Sequence, residues 1–450
     1  MKKNFPLIIL LLVAAICWQS SLYADNFSKN NITVGPQDAT IIGTDNKAIQ
    51  IAIDAMAYRG GGTVYVQPGE YTLHNSIYLR SNVAIIGNKE KTILKRGPVI
   101  SSRLLVDADV GQMEITPKDA SLFKVGMGVS LRSNSLMNAM TGTPLTITRI
   151  ENGILYVNDY IIHDFIADLD SWGKGGHDGL VANVFPMILG HRVENVIVDG
   201  FTVDSKTDTD NPGWKSVRLG SVYFRTVKNS VIRNVKSINA QGDGLLVARA
   251  SKNIIVEDCE SAYNTFHGMH PGSHATHVTV QRCHLHHNGS DGIYICWGVK
   301  NSKFLDNVIH HNGTRKIGKR NGISIGHKDT DNIIAGNHIY ENAVSGLNFR
   351  KKTEANGAHR NIVKDNIIEN NGLKGHVKCG YGIYINGITH DLTFKNNTIR
   401  ETRTGEEALQ FNAVYLSPEV SRVKMVGNKI SGHPGKAVVD KSGSSENVLP

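Results

Sequence analysis

Several things are missing from this chain of 450 residues. After residue 16 there is no apolar run of the roughly 20 residues needed to cross a bilayer, so no membrane span is expected. No Cys-x-x-Cys pair occurs, which removes the usual cysteine-based metal frameworks. Through the second half of the chain no helical segment separates one strand-like stretch from the next, and the repeats are too short to hold a crossover helix. That excludes a βαβ sheet. What remains is globular in composition, 40% hydrophobic and 20% charged, with a high count of 45 glycines.

Lys2 and Lys3 precede the short apolar run Leu7–Ile16, and Leu22-Tyr23-Ala24 supplies a cleavage site. Residues 1–24 therefore read as a signal peptide, and an exported protein, periplasmic or extracellular, is expected. Cys17 invites a lipid anchor, but the bulky Ile16 stands where such signals carry Gly or Ala. Removing the signal deletes two lysines and no acid, which lowers the net charge from +9 to +7. A basic exported protein suits a polyanionic partner. Outside the cytoplasm that points to an acidic polysaccharide or oligosaccharide rather than nucleic acid.

The chain repeats itself. An Asn or Cys follows a short apolar stretch at Asn234, Cys259, Cys283, Asn307, Asn337, Asn366, Asn397 and Asn428, in steps of 25, 24, 24, 30, 29, 31 and 31 residues. A second column lies five residues later, at Asn239, Asn264, Asn288, Asn312, Asn342 and Asn371. Asparagine tolerates the left-handed backbone of tight corners, and stacked copies can hydrogen-bond to one another. Cys259 and Cys283 share the first column and read as small buried fillers rather than a disulfide. After the second column come alternating strands such as "GDGLLVA", "FHGMHPG", "SDGIYIC" and "GYGIYIN", with period two and one buried face. The consistent solution is all-β: a parallel β-helix, a solenoid of short stacked strands. Ile49, Ala52, Ile53 and Met56 fall on one face of a helix that can cap its open end. Four segments are expected: the signal at 1–24, the cap and first coils at 25–100, a small β insertion at 101–185, and the main coils at 186–450.

The stretch "AIQIAIDAMAYRGGGTVYVQPGEYTL" followed by Asn-rich coils resembles the pectin-lyase-like superfamily of right-handed β-helix proteins. That resemblance implies the right hand of the coil, which periodicity does not show. Its members include polysaccharide lyases, glycoside hydrolases, uronate epimerases and phage tailspikes. Motifs of the characterised groups are only echoed. "GDG" at 242–244, "HGMH" at 267–270 and "RKK" at 350–352 partly match the polygalacturonase set. "GMHPGSH" lacks the aspartates of the alginate-epimerase Asp-Pro-His-Asp, and the pectate-lyase Trp-Ile-Asp-His is absent.

Alternation then assigns directions. If Leu245, Met269, Ile293, Ile323, Leu347 and Ile383 point inward, their successors Leu246, His270, Tyr294, Ser324, Asn348 and Tyr384 point outward. Just beyond the strands lie Arg249, Ser273, Trp297, His327 and Lys351. One face thus gathers His267, His270, Asp243, Asp291, Tyr294 and Arg350 as candidate catalytic groups. Trp297 and Tyr384 are candidates for stacking on sugar, with His327 and Lys351 beside them. Two longer coils add basic inserts, "GTRKIGKR" with Lys319 and Arg320, and "GLKGHVKCG". Such inserts often form a binding rim.

Three chemistries fit. β-Elimination on a uronate needs a base, an acid and a cation. His270 or His267 would be the base, Tyr294 the acid, and Arg350, Lys319 or Arg320 the cation. An epimerase would use the same groups. Hydrolysis would use Asp243 and Asp291, two coils and about 9–10 Å apart; turn chemistry is the competing role for both. A non-catalytic glycan-binding solenoid is the third reading. No cofactor is firmly implied. Asp329 and Asp331 in "GHKDTDN" are the candidates for Ca²⁺, as is the similar "SKTDTDN" at 205–211. His267, His270 and His327 together suit a transition metal. His284, His286, His287, His310 and His311 belong to another strand or corner and read as stacked surface histidines.

Overall fold

The computed structural model describes residues 30–133, 144–167, 179–205, 219–315 and 320–450. The signal segment with Cys17, the "DTDN" acids at 208 and 210, and Lys319 lie outside them.

Asp45 caps the helix Asn46–Tyr58 by accepting the Ala48 N–H at 2.9 Å. Ile49, Ala52, Ile53 and Met56 are completely buried, as their spacing requires, and close the first end of the core. Beyond the helix the chain winds through short parallel strands in three stacks. Strands such as Lys252–Glu257 and Thr276–Gln281 form the first, Glu260–Ala262 and His284–His286 the second, and Asp243–Ala248 and Met269–Pro271 the third. Only side chains of the inward period reach the core. Leu245, Met269, Ile293, Ile323, Leu347 and Ile383 are all fully buried, and they pair coil to coil in register. A separate antiparallel sheet runs from Ser101–Arg103 to Leu180–Ala182, with its own apolar core around Leu104, Ile147 and Val181. No helix among the described residues is long and apolar enough to cross a membrane.

The asparagine columns are hydrogen-bond ladders. Asn264 Nδ2 donates to Asn288 Oδ1 at 2.8 Å, Asn288 to Asn312 at 2.9 Å and Asn312 to Asn342 at 3.0 Å. The other corner continues likewise from Asn307 through Asn337, Asn366 and Asn397 to Asn428. Two details correct the sequence reading. The left-handed residue of each corner is the one before the ladder, such as Asp258, Arg282, His287 and His311, with φ between 53° and 55°. The ladder residue turns its side chain inward along the axis, so it serves hydrogen bonding rather than the bend. Asn234 and Asn239 belong to that preceding position, because Lys236 pairs with Glu260, so Val235 and Ala240 align with Cys259 and Asn264. The 25-residue step conceals a slip of one. Cys259 and Cys283 are buried and unbridged, each thiol directed at backbone carbonyls.

Candidate active site

Asp243, His267, Asp291 and Asn321 stand at the start of successive third-stack strands, and all four are buried. Their polar groups form another ladder. The His267 N–H donates to Asp243 Oδ1 at 3.1 Å, the Asp291 N–H to His267 Nδ1 at 3.2 Å, and the Asn321 N–H to Asp291 Oδ1 at 2.8 Å. Asp291 also accepts from Asn321 Nδ2 and Ser324 Oγ. Burial pushes its pKa up, but His267, Asn321 and Ser324 outweigh that and hold it below the usual carboxylate range.

Asp243 has a second partner. Its Oδ2 lies 2.7 Å from His270 Nδ1. His270 is an outward side chain of the next coil, in register with Leu246. A carboxylate on Nδ1 fixes the tautomer with a basic Nε2. Gly272 gives that nitrogen room, since a Cβ there would stand 2.8 Å from Nε2. The imidazole is further held edge-on to Tyr294, ring centres 5.2 Å apart. Tyr294 is stacked flat on His267 at 4.2 Å, with the Arg350 guanidinium 4.4 Å from its ring. Pro271 takes the inward place of Val247 in this coil and cannot donate the ladder bond that Ile295 donates to Ser324 O in the next.

His270 lies in the lining of a cleft of about 710 Å³ over the finishing ends of these strands. Tyr223, Arg225, Arg249, His274 and Trp297 line it, and Ile162 and His163 of the insertion close one side. Tyr223 and Arg225 come from the coil before Asp243: Tyr223 pairs with Leu246 and Arg225 with Ala248. Burial raises the Tyr223 pKa against the pull of Arg225 and Arg249, so the phenol keeps its proton.

Other sequence candidates fall elsewhere. Asp291 is fully enclosed and serves the ladder, and neither it nor Asp243 lines the cleft, so an exposed pair of aspartates is not what the fold builds. Arg350 is buried; it donates to Ile295 O at 2.6 Å and lies 3.5 Å from Asp329, holding the wall from within. His267 and Tyr294 form a buried stack behind His270. Trp297 is half exposed at the cleft mouth. His327 is 3.0 Å from Cys296 Sγ and, with Lys351, lines a neighbouring hollow of about 530 Å³. Tyr384 belongs to an aromatic ladder with Tyr381 and Tyr415 further along the stack. Arg320 lies at the starting ends of the strands, opposite the cleft, near His376 O at 3.5 Å. Among the described residues the cleft is rimmed by Arg225 and Arg249 rather than by Arg320.

The calcium reading of Asp329 and Asp331 is not supported by their surroundings. Asp329 is fully buried, and its oxygens accept the N–H groups of Gly298, Val299 and Gly326. Burial raises its pKa to about 7 against the opposing Arg350. Asp331 is held by Arg360 at 2.8 and 2.9 Å. Two carboxylates already committed to donors do not make an oxygen cage. His327 sits over Cys296 rather than with His267 and His270, so those three do not form a ligand set.

This architecture is the right-handed, pectin-lyase-like β-helix. A family model described as "Right handed beta helix region" matches residues 220–385. The chain is similar to a capsule K1-specific depolymerase of Klebsiella phage K64-1, 23% identical over 240 residues. The match covers 47% of this chain and spans only 25% of that protein. Among solved structures it is similar to the A-module of a mannuronan C-5 epimerase of Azotobacter vinelandii, with TM-score 0.58, 15% identity, and 90% and 91% of the two chains covered. It is also similar to the polygalacturonase of Erwinia carotovora, with TM-score 0.55, 14% identity, and 92% and 96% covered. At these identities the solved structures show the fold alone.

Proposed function

We propose that the protein is an exported enzyme that degrades an acidic, uronate-containing polysaccharide by β-elimination. The observation that carries this reading is the Asp243–His270 pair beside a cleft bounded by Arg225 and Arg249. The partial similarity to a capsule K1-specific depolymerase supports polysaccharide breakdown in general. The lysine-headed apolar segment at the start of the chain supports export.

In this mechanism Arg225 and Arg249 bind the uronate carboxylate and offset the charge that develops when the adjacent C–H loses its proton. His270 Nε2 takes that proton, and Asp243 stabilises the resulting imidazolium. The bond to the neighbouring sugar oxygen then breaks, leaving an unsaturated uronate. The departing oxygen takes a proton from the imidazolium, or from Tyr223, the phenol lining the same cleft. Hydrolysis by two carboxylates is less well supported, because Asp243 and Asp291 are occupied within the wall.

A panel of acidic and neutral polysaccharides, followed for unsaturated uronate and for new reducing ends, tests this. Both signals on an acidic glycan are expected. Reducing ends without unsaturation would replace elimination by hydrolysis. Binding without either product would mean a uronate epimerase, which breaks no chain, or a glycan-binding solenoid.

A further inference from the structure

We propose that His284, His286 and His310 form a binding site for one divalent transition-metal ion on the outer face of the second stack. The site is separate from the cleft and does not depend on the reaction assigned to it.

The fold makes the cluster. His284 and His286 are two apart on one strand, so both leave the same face. His310 is the register partner of His286 in the next coil, about 4.8 Å away across the ladder. The three rings converge, with one ligand nitrogen from each within 4.8 Å of the others. His284 Nε2 and His310 Nε2 are 2.7 Å apart. Two imidazole nitrogens on one tetrahedral ion stand about 3.3 Å apart, so a small ring rotation admits the metal. Glu260, the register partner of His284 in the preceding coil, lies 3.6 Å from His286 Nε2 and is paired with Lys236 at 3.1 Å, so a water or Glu260 released from that lysine would complete the three-histidine set.

The surrounding groups suit ligation. His310 Nδ1 is 2.7 Å from His311 Nδ1, and His311 Nε2 is 3.2 Å from Glu341. His286 Nδ1 is similarly 2.8 Å from His287 Nδ1. Each such contact orients a ring by the nitrogen that does not face the site. Tyr340 stacks on His310 at 4.7 Å and fixes its plane. Three imidazoles select Zn²⁺, Ni²⁺, Co²⁺ or Cu²⁺ over Ca²⁺ and Mg²⁺.

The test uses the full chain stripped with a chelator, then titrated calorimetrically with Zn²⁺ and, separately, with Co²⁺ followed by visible absorption. One Zn²⁺ should bind at the histidine cluster, Co²⁺ should give the intense bands of a four-coordinate site, and a large excess of Ca²⁺ should displace neither. His310→Ala and His284→Ala should each weaken binding at least about tenfold, with unchanged circular dichroism. Glu354→Ala serves as control, because Glu354, His359 and His390 form the other cluster of this kind among the described residues. Full binding in folded His310→Ala, or loss of binding in Glu354→Ala alone, would overturn the assignment. So would the absence of any Zn²⁺ binding to the wild-type chain.

Discussion

The second and third stacks of the solenoid carry histidines on neighbouring faces, and they treat them in opposite ways. On the third stack His270 and His267 each lie against a buried aspartate, at 2.7 and 3.4 Å. On the second stack His284, His286 and His310 chiefly face one another. A carboxylate partner orients an imidazole and supports its protonated form, as a base requires. Imidazoles turned toward one another bring several ring nitrogens to one point, as a metal ion requires. One residue type on one scaffold is thus directed to two chemistries by whether its ring nitrogen meets a buried carboxylate or other imidazoles.

The sharpest way to break this contrast is His270→Ala. Turnover should fall at least ~100-fold, in the lower range for acid–base groups, while His338→Ala on the second stack should leave it near normal. Initial rates on the glycan identified by the panel decide this. Asp243→Asn comes next: it should lower kcat by about tenfold or more with little change in KM, since it disturbs the tautomer but not the cleft. Asn312→Ala should cost about 2–3 kcal/mol in denaturant unfolding, because it strips partners from the Leu285 carbonyl and the Asn288 N–H in the interior. Arg249→Ala should raise KM severalfold on an acidic glycan, and the loss should shrink at high salt.

The smallest effect concerns acid stability. Asp291 has a folded pKa below its unfolded value, so its contribution is complete above about pH 3.9 and is lost as pH falls through the folded value. Below pH 4 the wild-type unfolding midpoint should therefore fall more steeply than that of Asp291→Asn. Parallel slopes would show that the folded Asp291 carboxyl is not held below its unfolded value.

The coil and its inward columns were legible because a period-two strand repeated every turn leaves little choice of register. The outward place of His270 followed from the same alternation. What alternation does not show is the direction of a side chain at a strand's first residue. Asp243 and Asp291 sit there and turn along the axis into a ladder, so they looked like an exposed pair. Arg225 and Arg249 were overlooked for different reasons. Arg225 lies in a coil that precedes the first asparagine column, and Arg249 lies just past its strand, where alternation assigns no direction. Charge alone singles out Arg320, but it stands at the other end of the strands.

The ladders also differ in the sense of their bonds. In the asparagine corners a backbone N–H is met by a side-chain oxygen of the following coil, as with Asn288 N and Asn312 Oδ1. In the Asp/His column the acceptor belongs to the preceding coil, as with His267 N and Asp243 Oδ1. While the chain emerges from its N-terminus, the newest turn can therefore lean at once on the one before it along the reactive face. At its asparagine corners it stays open until the next turn arrives. Assembly then has a built-in arrow: a chain arrested midway would expose unsatisfied corners at its growing edge, ready to accept another turn of any length that brings a side-chain amide to the same corner.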